Sequence, residues 1–344
     1  MDRANDTPNL QALLSKYRSA LMGIAALIIV ILHAHWDSPF VLFRAIENFG
    51  NMGVDIFAFL AGFGLSHSLG KKDYTFEGYY KKRLNRLLPD YYVALVPALF
   101  ICGASLKRII ATVLCIDKWL DVSIFWYVGA SLFWYAILPP IYFAIKKARY
   151  PRIAAAAFML LFVFPLSYLF DASSMVTRFP AVILGCALGT CYKRENAQKA
   201  ARRDYILLAA VTAYGLALVL NNSFLTFESP YSPNLLKRNL CAPFVTVMLA
   251  CLLKLFDRLK LKPIIKLFEA FGKYSLQVYL SHFLIREFYL QTLGLTDRLV
   301  LLVIMLVLSL PLAMGIAYLG NRLRALTSFI MKRISIKSEV GDTI

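Results

Sequence analysis

The chemistry open to this sequence rests on four histidines and a few arginines set in very apolar surroundings. His33 and His35 close the run Gly23-Ile-Ala-Ala-Leu-Ile-Ile-Val-Ile-Leu32, and the next apolar run opens with Gly53-Val-Asp55-Ile-Phe57. An imidazole can take a proton near neutral pH, and a carboxylate beside it fixes the tautomer and supports the charged form. If the two runs are antiparallel neighbours joined by a short loop, His33 and Asp55 lie at similar depth and form such a pair. The competing reading is that both are interfacial and merely solvated.

A second constellation is Tyr79-Tyr-Lys-Lys-Arg83-Leu-Asn-Arg86-Leu-Leu-Pro89. Arg83 and Arg86 share a helix face and can grip phosphate together, although a basic flank of a membrane span has the same appearance. His282 falls in the middle of an apolar run, with Arg286 one turn on, so both need the interior of a bundle. A packing or supporting role suits His282 as well as a direct one. Trp126 and Tyr127 open another apolar run, where an aromatic belt and a platform for an acceptor sugar are both open. His67 reads as interfacial.

The elements that must position these residues are membrane helices. Of 344 residues, 59% are hydrophobic and 17% charged, and the mean hydropathy of +0.62 is far above that of a water-soluble domain. The fold class is therefore all-α: a polytopic bundle of about ten transmembrane helices. The sequence predicts spans near 19–36, 51–69, 87–103, 124–145, 153–170, 178–192, 204–221, 239–256, 271–291 and 299–319, with 104–123 as an outer loop or re-entrant piece.

Starting from a cytoplasmic N-terminus, 29 of the 38 lysines and arginines fall on the cytoplasmic side, which places both termini there. The organisation expected is a cytoplasmic segment 1–18, a transmembrane domain 19–321 and a basic cytoplasmic tail 322–344. Because the cations sit in short loops between apolar runs, the net charge of +18 points to membrane lipids as partners and not to nucleic acid. The six cysteines lack metal-type spacing and read as small buried hydrophobes, so no metal is expected.

Depth separates the two constellations. His33 lies some 13 residues beyond the inner end of its span, or about 20 Å at the helical rise, whereas the arginines lie at that inner end. A ligand that touches both must be long, phosphorylated at one end and reactive at the other, and coenzyme A has that shape. No phosphate-binding Gly-Lys-Ser/Thr loop, zinc His-Glu pair or dinucleotide fingerprint is present. Internal inverted repeats, which would favour a transporter or flippase for a lipid-linked sugar, are not evident.

In order along the chain, Gly23 to His33, Gly53-Val-Asp55-Ile-Phe through Phe63, Arg83-Leu-Asn-Arg86-Leu-Leu-Pro, Phe125-Trp126-Tyr127 with Pro139, and Tyr274-Ser-Leu through His282 resemble the acyltransferase 3 family. These are integral-membrane enzymes that O-acylate bacterial surface polysaccharides. The resemblance implies an O-acyltransferase of the bacterial cytoplasmic (inner) membrane. It would move an acyl group, usually acetyl, from cytoplasmic acyl-CoA to a hydroxyl of a cell-surface or lipid-linked carbohydrate, alone or with polysaccharide-assembly partners. His33 would be the catalytic histidine, as general base or transient acyl carrier, and Arg83 and Arg86 would hold acetyl-CoA. The family's arginine eleven residues before that histidine is here Met22, and Arg18, one turn earlier, is the nearest substitute. Some members carry an attached esterase-like domain; none is read here, so the acyl group is expected to reach its acceptor directly or through a partner.

Overall fold

Ten α-helices and no strand make up the described part of the chain in the computed structural model, which covers residues 10–36, 39–71, 73–103, 105–120, 124–149, 178–191 and 233–341. They are α1 Leu10–Ala34, α2 Val41–Leu69, α3 Phe76–Ile101, α4 Leu106–Val113, α5 Trp126–Lys147, α6 Phe179–Cys191, α7 Pro233–Arg258, α8 Lys262–Lys273, α9 Ser275–Glu287 and α10 Arg298–Gly341. Among the described residues, four stretches, Leu10–Ala34, Gly50–Leu69, Trp126–Lys147 and Arg298–Met331, are long and apolar enough to cross a membrane. The expected all-α, membrane-embedded class is what the chain adopts. The expected spans 153–170 and 204–221 lie outside the described residues.

Small residues, more than large apolar ones, set how closely the helices approach, as in bundles where lipid competes with side chains for apolar contact. At the crossing of α2 with α6, a Cβ on Gly62 would overlap the Val182 carbonyl, and one on Gly185 would overlap that of Phe59. At the crossing of α1 with α8, Gly23 faces the Phe268 carbonyl in the same way and Gly272 faces that of Ser19. α1 and α2 pack antiparallel: Gly50 meets Leu32, Gly53 meets Ala25 and Ile29, and Gly64 meets the Arg18 guanidinium. The main core spreads over α1, α2, α5, α6 and α7, and a second cluster joins α3, the start of α5 and α9.

α1 and α2 start earlier than the spans placed in them, at Leu10 and Val41, and four further differences from the sequence reading stand out. The expected loop 71–86 is helical from Phe76, because the Thr75 hydroxyl accepts the Gly78 N–H at 3.1 Å and caps α3. The expected single span 271–291 is interrupted at Tyr274 (φ −106°, ψ 23°). Before that break α8 is amphipathic, with Ile265 and Phe271 buried and Lys262 and Lys266 exposed; α9 follows it. The region expected as an outer loop or re-entrant piece at 104–123 holds, among its described residues, α4 and a short 3-10 turn, Asp117–Leu120, with the Tyr91 hydroxyl on the Thr112 carbonyl at 2.6 Å. Finally, α10 runs unbroken through the boundary placed at residue 321. Gly320 and Asn321 sit at that boundary without ending the helix, because Gly320 packs against Asp90, and the helix formers that follow carry no Gly or Pro before Gly341.

Candidate active site

α1 turns Arg18, Met22, Ile29 and His33 onto one stripe, since offsets of 4, 11 and 15 residues return to nearly the same helix azimuth. That stripe faces a cavity of about 580 Å³, whose wall includes Arg18, Met22, Ile29 and His33. α2 contributes Asn51, Val54, Phe57, Ala61 and Gly64, α3 contributes Lys82, Arg83 and Arg86, and α5 contributes Trp126, Tyr127, Ser131 and Tyr135. Arg18 and His33 are 15 residues apart on one continuous helix, about 22 Å along its axis. One cavity therefore reaches from the imidazole to the guanidinium groups.

At the His33 end, Nδ1 donates to the Ile29 carbonyl at 2.9 Å. A carbonyl can only accept, so this bond fixes the proton on Nδ1 and leaves the Nε2 lone pair available. The ring is half-buried in the cavity wall and packs against His282, with centroids 5.0 Å apart. His282 is buried, donates from Nδ1 to the Val278 carbonyl at 3.0 Å and also touches Tyr279. It stands behind His33, outside the cavity lining.

Asp55 is fully buried on α2, and its carboxylate pairs with Arg178 at 3.3 Å. The sequence reading set Asp55 as the group that orients His33; here the backbone carbonyl of Ile29 holds the imidazole, and Asp55 holds Arg178. Arg178 in turn lines the cavity and lies over the Trp126 ring at 5.1 Å. Trp126 packs on Tyr127, and Tyr127 meets Phe57, Trp134 and Tyr279. The Tyr127 backbone N–H donates to the Tyr279 hydroxyl at 3.3 Å. These aromatics form a wall of the cavity instead of a belt of separate interfacial side chains.

At the other end, Arg18, Arg83 and Arg86 converge, and the charge of Arg18 feels both others. Among the described residues none of the three has a carboxylate within ion-pairing distance. The Nε atoms of Arg18 and Arg83 are buried without a hydrogen-bond partner. Arg18 donates from Nη2 to the Leu60 carbonyl at 3.2 Å. The Nε atoms left unsatisfied on Arg18 and Arg83 are costly when buried, and an anionic ligand resolves that cost. Met22 lines the cavity one turn from Arg18, so Arg18 reaches the space where an arginine at position 22 would lie. His67, the interfacial histidine of the sequence reading, also lines this end and packs against Phe63.

Sequence reasoning passed over Arg178, Lys71, Lys82, Ser131 and Tyr135 as cavity residues. Only Arg178 carried a signal: a cation at the head of the apolar run Phe179-Pro-Ala-Val-Ile-Leu-Gly, where an unpaired charge is expensive and calls for a partner. The others read as ordinary flank or span residues.

A helical membrane protein whose polar cavity joins a proton-accepting imidazole to a guanidinium cluster has the parts of a group-transfer enzyme with an anionic donor. Residues 20–318 match the family model of the acyltransferase domain, Acyl_transf_3. The chain belongs to this family and is a membrane acyltransferase. No curated protein and no solved structure matches it.

Proposed function

We propose that this acyltransferase transfers an acetyl group from acetyl-CoA to a hydroxyl of a cell-surface or lipid-linked polysaccharide, acting from the bacterial cytoplasmic membrane. The observation that carries the reading is one cavity lined both by His33 and by Arg18, Arg83 and Arg86, which among the described residues have no carboxylate within ion-pairing distance. The phosphates of the donor rest among the arginines and the pantetheine arm lies along Met22, Ala61 and Ile29, which brings the thioester to the imidazole. The arginines stand at the cytoplasmic face, where acyl-CoA is made.

In the transfer, the Nε2 lone pair of His33 takes the proton of the acceptor hydroxyl as its oxygen attacks the thioester carbonyl. The tetrahedral intermediate collapses, the carbon–sulfur bond breaks, and the thiolate leaves with the proton returned from Nε2. Ile29 keeps Nδ1 protonated throughout, so the ring always presents the same atom. Arg178, held by Asp55, offers a fixed positive charge in the cavity wall beside the aromatic platform of Trp126 and Tyr127, where the acceptor ring stacks.

Purified protein in liposomes, given acetyl-CoA labelled in the acetyl group and a bacterial surface glycan, transfers label to the glycan, and His33→Ala abolishes the transfer. Undiminished transfer by His33→Ala removes the imidazole from the mechanism. Movement of lipid-linked sugar without coenzyme A, unaffected by loss of Arg83 and Arg86, would support a flippase instead.

A further inference from the structure

Besides its three arginines, the guanidinium end of the cavity carries two lysines, Lys71 and Lys82, that the diphosphate reading does not use. Gly64 of α2 sits beside the Arg18 guanidinium. Lys71, seven residues on and just past the Gly70 cap, also lines the cavity, about 10 Å further toward its mouth at the helical rise. On α3, Lys82 lies one turn before Arg86 and directly before Arg83, and it lines the same space. His67 and Ser68 lie between Gly64 and Lys71 in the chain and line the same space.

The lysines differ from Arg18 and Arg83 in exposure and in chemistry. The arginines present planar forks to the cavity, and two of them have unsatisfied buried nitrogens, which suits the bridging and terminal oxygens of a diphosphate. Lys71 and Lys82 are exposed, and among the described residues neither has a carboxylate within ion-pairing distance. An ammonium is a compact, strongly hydrated charge, well matched to a dianionic monophosphate that stays partly in water. Coenzyme A carries those two groups in that order: a diphosphate next to the pantetheine arm, and beyond it a monophosphate on the ribose 3′ oxygen.

We infer that Lys71 and Lys82 form a second anion subsite that takes the 3′-phosphate of the donor, an inference that rests on the coenzyme A reading above. The two lysines then distinguish coenzyme A from carriers that have only a diphosphate or a single phosphate. Because both side chains are exposed on helix ends, their truncation leaves the packed bundle untouched.

The test is binding, which needs no acceptor. Coenzyme A and 3′-dephospho-coenzyme A are titrated calorimetrically into the detergent-solubilised full chain, its Lys71→Ala/Lys82→Ala variant and its Arg83→Ala/Arg86→Ala variant. The native protein prefers coenzyme A by roughly tenfold or more, the scale of one charge-assisted contact. The lysine variant loses that preference and binds the dephospho compound as the native protein does, while the arginine variant loses both ligands. Equal native affinity for the two compounds, or a lysine variant weakened equally toward both, overturns the subsite and leaves the coenzyme reading standing. Binding of neither compound to the native protein overturns both.

Discussion

His33 and Arg18 stand 15 residues apart on one unbroken helix and open onto the same cavity. The rigid helix fixes their separation at about 22 Å, so a ligand that engages both has its length set by α1. Each prediction below tests one part of that arrangement.

Arg18 occupies the role that Met22 leaves open. Arg18→Ala should raise the KM for acetyl-CoA by about 10- to 100-fold, as expected for the loss of a charge-assisted contact of 1.5–3 kcal/mol. Adding Met22→Arg to that variant should recover most of the loss, because position 22 lines the same cavity one turn away. Initial-rate kinetics on the pair decide the matter; a double variant as poor as Arg18→Ala would show that the two positions do not reach one anion.

Ala61 lies on α2 between the residues that face Ile29 and those that face Arg18. Ala61→Phe should plug the passage, cutting kcat at least tenfold, about 1.4 kcal/mol in the barrier, while coenzyme A still binds at the arginines. Titration calorimetry alongside turnover measures the two effects separately. Full turnover in this variant would place the donor's path elsewhere.

Asp55 and Arg178 are both buried, and each neutralises the other. Asp55→Ala removes the carboxylate that pairs with the buried Arg178 and should destabilise the protein by about 3–5 kcal/mol, whereas Asp55→Ala/Arg178→Met should recover a large part of that. Thermal unfolding in detergent reads the comparison. Equal melting temperatures for the single and double variants would mean that the pair is not a stabilising unit.

The crossing of α2 with α6 has no room for a side chain at Gly185. Gly185→Leu should force the helices apart at a cost of about 1–3 kcal/mol or more, seen as a lower melting temperature and weaker retention in mild detergent. A variant as stable as the native protein would contradict the close contact with the Phe59 carbonyl.

Much of this site was legible in the sequence because membranes make polar residues conspicuous. His33 stands out at the end of an apolar run and helical spacing puts Arg83 and Arg86 on one face, although those two also read as a basic flank and Arg18 came forward only through the family resemblance. Their convergence on one cavity was not legible, since periodicity says nothing about which helices are neighbours. Asp55 shows the limit most plainly. Its depth matches that of His33, but a carboxylate pairs with the nearest buried cation, and Arg178 is more than a hundred residues away in the chain. The two lysines were hidden for a different reason, since Lys71 and Lys82 look like any positive flank until α2 and α3 bring them to one opening. The break at Tyr274 was missed because the apolar run continues across it.

The central claim is that one donor spans the cavity, with its phosphates at the arginines and its reactive end at the imidazole. An experimental structure of the protein with coenzyme A bound tests this most directly. The account predicts diphosphate oxygens at Arg18, Arg83 and Arg86 and the thiol sulfur roughly 3–4 Å from Nε2 of His33, the separation of a reacting pair. A coenzyme bound outside the cavity, or bound at the arginines with its thiol directed away from His33, would contradict it.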